Sequence, residues 1–84
     1  MNADSLFRFL LKHRLPVVDT IGGGYEKGVV LNDKTLTTGW NTHKVVKDLG
    51  GYFLYRRADR DNWKMLTVVN SAEEVVEELS RRMA

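Results

Sequence analysis

Apolar positions along this chain follow two rhythms, and the change from one to the other marks out its elements. From Asp4 to His13, Leu6, Phe7, Leu10 and Leu11 recur at helical spacing, and Phe9 widens the stripe. Asp4 or Ser5 is placed to cap this segment. Pro16 ends it, because the residue before a proline is pushed out of the helical region, so Leu15 is expected to be extended.

Val17 to Ile21 reads as a strand broken by Gly22-Gly23-Gly24. Val29-Val30-Leu31, then Asn32-Asp33, then Lys34 to Thr38 predict a strand, a tight turn and a return strand. Asn41 reads as the N-cap of a second helix, with Trp40 stapled to Val45. Val45, Val46 and Leu49 would form its buried stripe, and Gly50-Gly51 would end it. Tyr52 to Arg57 then predicts a strand, residues 58–62 a polar turn, and Trp63 to Val69 the return strand. Ser71 and Glu74 form a capping box for a last helix lined by Val75, Val76, Leu79 and Met83. Acidic Glu73 and Glu74 at its start and basic Arg81 and Arg82 at its end suit the helix dipole.

The second half of the pattern echoes the first. Gly23-Gly24-Tyr25 returns as Gly50-Gly51-Tyr52. Lys34, Leu36, Thr37, Val45, Val46 and Leu49 return 30 positions later as Lys64, Leu66, Thr67, Val75, Val76 and Leu79. The expected fold is therefore α+β: residues 1–16 as helix and linker, then ββα units at 17–49 and 50–84, in the order α-ββα-ββα. That arrangement predicts one domain with an antiparallel sheet of about four strands and the two repeat helices on one face. The apolar N-terminal helix would cover the other face or a second subunit.

Size sharpens this expectation. An 84-residue chain buries only roughly 60% of its unfolded surface. Without cysteine it has no disulfide and no cysteine-ligated zinc to staple the core, so a homodimer is a natural route to stability. Its apolar runs are too short to span a membrane, and Asp4, Arg8 and Lys12 interrupt any signal-peptide pattern. These features point to a cytoplasmic protein with no membrane partner.

Net charge is only +2, but it is unevenly spread: residues 1–69 carry 11 basic and 7 acidic side chains, and 70–84 carry 2 and 4. His43, Lys44 and Lys47 occupy positions equivalent to Glu73, Glu74 and Glu77, so the two predicted repeat helices would be complementary.

Two places combine residue types that bind. Asn41, Thr42, His43 and Lys44, at the start of the predicted second helix, would offer backbone N–H groups, a hydroxyl, an imidazole and an ammonium to an anion. The second hairpin supplies Tyr52, Tyr55, Arg56, Arg57, Arg60, Trp63 and Lys64 as a partner-binding set. Alternation puts Tyr52, Leu54 and Arg56 on one face and Phe53, Tyr55 and Arg57 on the other. Asp59 and Asp61 in the turn partly offset its positive charge.

No catalytic set is legible. Cysteine is absent, His13 and His43 have no partner at ligand spacing, and the triple glycine lacks the following Lys-Ser/Thr of a phosphate loop. Neither enzyme, metal nor cofactor is expected. The reading is a small accessory or regulatory protein that works through macromolecular contacts, as a homodimer, with nucleic-acid binding by the second hairpin as the alternative. The segment GGYFLYRR…KMLTVVNSAEEVVEEL is similar in its hairpin-then-helix order to small β-sheet DNA readers such as integrase arm-binding domains. That likeness covers about thirty residues without a diagnostic motif, and it implies the nucleic-acid alternative.

Overall fold

The computed structural model describes residues 1–22, 24–36 and 39–83. Gly23 of the first repeat opening, and Thr37 and Thr38 of the expected return strand, lie outside the described residues. Helix α1 spans Ala3–Lys12 and α2 spans Ala72–Arg82. Between them run β1 (Val17–Ile21), β2 (Gly28–Leu31), β3 (His43–Asp48), β4 (Gly51–Arg57) and β5 (Trp63–Val69). The strands form one antiparallel meander in the order β1-β2-β3-β4-β5.

Local chemistry sets most of these limits. Asn2, rather than Asp4 or Ser5, caps α1: its side chain accepts the Ser5 N–H at 2.8 Å. The chain leaves α1 through Arg14 in the left-handed region (φ 64°), which turns Leu15 back into the core. Ser71 caps α2 as the sequence predicts, accepting the Glu74 N–H at 3.2 Å. β1, β4, β5 and the 58–62 turn also follow the sequence pattern, with β4 starting one residue early at Gly51.

The order α-ββα-ββα is not what forms. Asn41 to Leu49 is not a helix; its His43–Asp48 portion is the central strand of the sheet. Val45 and Val46 fit a helical stripe, but they equally fit a strand buried on both faces. Pairing with β2 and β4 decides the matter, setting Val45 between Val29 and Leu54. Lys34 and Leu36 do not begin a strand either. The Asp33 carboxylate accepts the Thr35 N–H at 3.0 Å and the Thr35 hydroxyl at 2.6 Å, folding the chain into a local turn. The sheet therefore has five strands, and matched positions of the two halves take different structures: Val45-Val46 lies in β3, whereas Val75-Val76 lies in α2. The supposed pairing of a basic helix with an acidic one disappears with the helix.

Both helices lie on one side of the sheet. α1 packs on β1 and β2, α2 packs on β4, and the helices touch each other. Leu6 and Leu10 of α1 and Val75 and Leu79 of α2 meet Val29, Leu31, Val45 and Leu54 from the strands, all eight fully buried. Burying each such side chain contributes about 1.5–3 kcal/mol. The expectation that α1 sits on the opposite face or on a second subunit is corrected by this packing.

Gly28 shows how tightly β2 approaches β3. A Cβ there would lie 1.8 Å from the Val45 carbonyl oxygen, a contact with backbone that cannot move aside. Gly28→Ala is therefore expected to destabilise the fold by about 1–3 kcal/mol in urea melts, because it overpacks the centre of the sheet. A neutral or stabilising result would contradict the β2–β3 register.

Candidate binding surfaces

Antiparallel partners share a face, so the register assigns each side chain to a side. Val29, Leu31, Val45, Tyr52 and Leu54 point toward the helices. The other face carries Asp19 and Ile21 of β1, Val30 of β2, Lys44 and Val46 of β3, Phe53, Tyr55 and Arg57 of β4, and Trp63, Met65 and Val68 of β5. No helix among the described residues covers it.

The charges on this face are tied down. Lys44 is buried, with its ammonium 5.0 Å from the Tyr55 ring centre and 4.9 Å from that of Trp63. Its Nζ also meets the Glu26 carboxylate at 3.3 Å. Cation–π contacts of this kind contribute about 0.5–2 kcal/mol, and they offset the cost of withdrawing the ammonium from water. Arg57 lies 4.3 Å from the Trp63 ring centre. Its Nε donates to the Asn41 carbonyl at 2.6 Å and its Nη1 to the Arg60 carbonyl at 2.7 Å. Trp63 is thus contacted by two cations whose donors are already engaged.

Of the sequence-predicted partner set, the structure brings Tyr55, Arg57 and Trp63 together here. It sends Tyr52 to the opposite side, where its ring is buried in the core. Arg56 also points away from this face, Lys64 stands exposed opposite it on β5, and Arg60 sits in the β4–β5 turn. Phe53, Val46, Met65 and Val68 complete the face. Period-two alternation was the signal available for Phe53, whereas Val46 needed the strand identity of β3.

The four-residue anion set divides as well. No helix N-terminus stands at Asn41, so the backbone donors proposed there are lost. Lys44 turns to the uncovered face. Thr42 and His43 turn to the end of the sheet that holds Arg56, where two clefts meet. One, of 260 Å³, is lined by Asp33, Leu36, His43, Arg56, Leu66 and Arg82. The other, of 510 Å³, is lined by Leu36, Trp40, Thr42, Arg56, Arg57, Ala58, Asp59 and Arg60. Arg82, from the far end of the chain, had no sequence signal linking it to this group.

A buried relay supports this end. Thr42 Oγ1 accepts the Asp33 N–H at 2.8 Å and lies 2.8 Å from His43 Nδ1. The Thr42 hydroxyl has one proton: given to Nδ1 it leaves the imidazole proton on Nε2, and given to the Leu31 carbonyl, 3.5 Å away, it lets Nδ1–H donate to Oγ1. Burial, only partly opposed by the Asp33 carboxylate, holds the His43 pKa below its ordinary 6.5. The Thr35 hydroxyl beside Asp33 holds that carboxyl below its ordinary 3.8, against the opposing effect of burial.

Among the described residues, no group of three or more His, Cys, Asp or Glu is set to hold a metal ion, and no helix is long and apolar enough to cross a membrane. No protein-family model, curated protein or solved structure matches the chain.

His43 gives a pH test. Its neutral form is favoured in the folded state, so its contribution is fully present above pH 6.5 and falls as pH drops below that value toward the lower folded pKa. Asp33 acts in a separate window, below 3.8. Between about pH 7.5 and about pH 5.5 the melting temperature of the wild type is expected to fall more than that of His43→Asn, whose amide can donate to or accept from Thr42. Equal slopes for the two proteins would exclude His43 as the source.

Proposed function

We propose that this chain is a non-catalytic protein-interaction module that associates with a second copy of itself through the uncovered sheet face. The observation that carries the reading is the state of that face. It displays Phe53, Tyr55, Trp63, Met65 and Val68 around a buried Val46, while Lys44 and Arg57 are internally satisfied. Met65 and Val68 are 52% and 42% exposed, so the apolar character reaches solvent. A face whose charges already have partners loses little when water is removed, and its aromatic groups are held in place before contact.

A second copy suits the face for two reasons. A sheet covered on one side only is completed by another apolar layer, and stacked sheets pack about 10 Å apart. The face is also graded in charge, with Asp19 on β1 and Arg57 on β4. A two-fold axis parallel to the strands lays β1 of one copy over β5 of the other and brings these unlike ends toward each other.

Nucleic-acid binding is less well supported on this face. The rings of Tyr55 and Trp63, which a base would need for stacking, already contact cations, and those cations are already bonded to protein groups.

Size-exclusion chromatography with light scattering at micromolar concentration is expected to find a dimer. Met65→Glu with Val68→Glu should weaken it by tenfold or more, equivalent to about 1.4 kcal/mol, while leaving the monomer folded by circular dichroism. A wild-type monomer throughout would defeat the proposal. A monomer that shifts single-stranded oligonucleotides, with binding that falls steeply with salt, would replace it with the nucleic-acid alternative.

A further inference from the structure

We infer that the arginine-lined end of the sheet is a binding site for a small phosphate ester, with Arg56 as its central contact. This site lies at the end of the sheet lined by Arg56 and Arg82, and Arg57 of the uncovered face also borders its larger cleft. Arg56 lines both the 260 Å³ and the 510 Å³ cleft, as does Leu36.

Arg56 is set apart by what it does not do. Among the described residues it makes no ion pair, hydrogen bond or ring contact. Its neighbours are engaged: Arg57 with two carbonyls, and Arg81 and Arg82 with Glu78. Asp33 lies close enough for its charge to act on Arg56, but the two form no salt bridge. Asp33 is occupied by the Thr35 N–H and hydroxyl, at 3.0 and 2.6 Å. Asp59 accepts the N–H groups of Asp61 and Asn62 and the Asn62 side-chain amide. Both carboxylates are held in their own turns and keep their charge, while the five N–H donors of the Arg56 guanidinium have no hydrogen-bond partner among the described residues.

The surroundings define the ligand. Arg60 lines the larger cleft, Arg82 lines the smaller, and Thr42 and His43 are also on the walls. Convergent guanidinium groups fit the oxygens of a phosphate, which can accept from more than one fork at once. The volume suits a ligand of mononucleotide size. An extended polyanion fits less well, because the cation cluster is local and Asp33 and Asp59 line the same clefts, which limits the negative charge they accept.

The test is an NMR titration of the full chain with inorganic phosphate and, separately, with a nucleoside monophosphate. Either probe is expected to move the His43 ring and the Arg56 Nε–H resonances along a saturable curve. Arg56→Gln should weaken binding tenfold or more, and Arg56→Lys, which keeps the charge and loses the fork, should weaken it too. Arg8→Gln on α1 removes the same charge elsewhere and should bind as wild type. If Arg56→Gln fails to fold in a melting control, Arg60→Gln replaces it, with the same loss expected. The inference is overturned by the absence of saturable shifts up to roughly 10 mM of either probe, well above a millimolar Kd. Equal weakening by Arg56→Gln and Arg8→Gln overturns it, as does binding seen only with oligonucleotides and growing with their length.

Discussion

Everything in this domain is hung on a short strand that must satisfy both sides of the sheet at once. β3 is bonded to β2 and to β4, so each of its residues commits a neighbour on either side. Val45 enters the core between Val29 and Leu54, beneath the two helices. Val46 and Lys44 enter the other layer, and Lys44 can lie there only because Tyr55, Trp63 and Glu26 surround its ammonium. An unpaired ammonium in that position would cost several kcal/mol or would lose its proton. Gly28 is the matching concession on β2, since any side chain at that point would strike the β3 backbone.

The same alternation separates two chemistries that are adjacent in sequence. His43 and Lys44 are consecutive, as are Arg56 and Arg57, yet each pair is split between opposite sides. Lys44 and Arg57 serve the uncovered face, where their charge is absorbed by rings, a carboxylate and carbonyls. His43 and Arg56 serve the end cleft, where Arg56 keeps its donors free. Strand register thus converts one run of basic and aromatic residues into a hydrophobic platform and a polar recess, with Arg57 bordering both.

How much of this was legible in sequence depends on how local the deciding interaction is. α2 carries its own cap, stripe and charge gradient, so it could be read without its neighbours. β4 and β5 flank a polar turn and alternate cleanly, so their limits and the faces of Tyr55 and Arg57 were available as well. β3 was not: its adjacent valines, followed by Leu49, satisfy a helical stripe as readily as a strand buried on both faces, and only partners far along the chain select between the two. The error spread from there. A misread helix supported an apparent duplication, a complementary helix pair and a helix-terminal anion site at Asn41–Lys44. The recess around Arg56 draws on β3, β4, α2 and on Asp33, Leu36, Trp40 and Thr42, and no spacing rule links residues that distant.

The outer strands of the sheet each contain an irregularity in register, between Val17 and Asp19 in β1 and opposite Leu54–Tyr55 in β5. An open meander leaves two rows of unpaired backbone groups, which are templates for adding further chains without limit. A bulge twists such a border and spoils its regular spacing. Pro16 at the mouth of β1 and Lys64 on β5 add to the obstacle. Endless lateral growth into fibrils is therefore discouraged at both borders, and the stacked contact proposed for the uncovered face would stop at two.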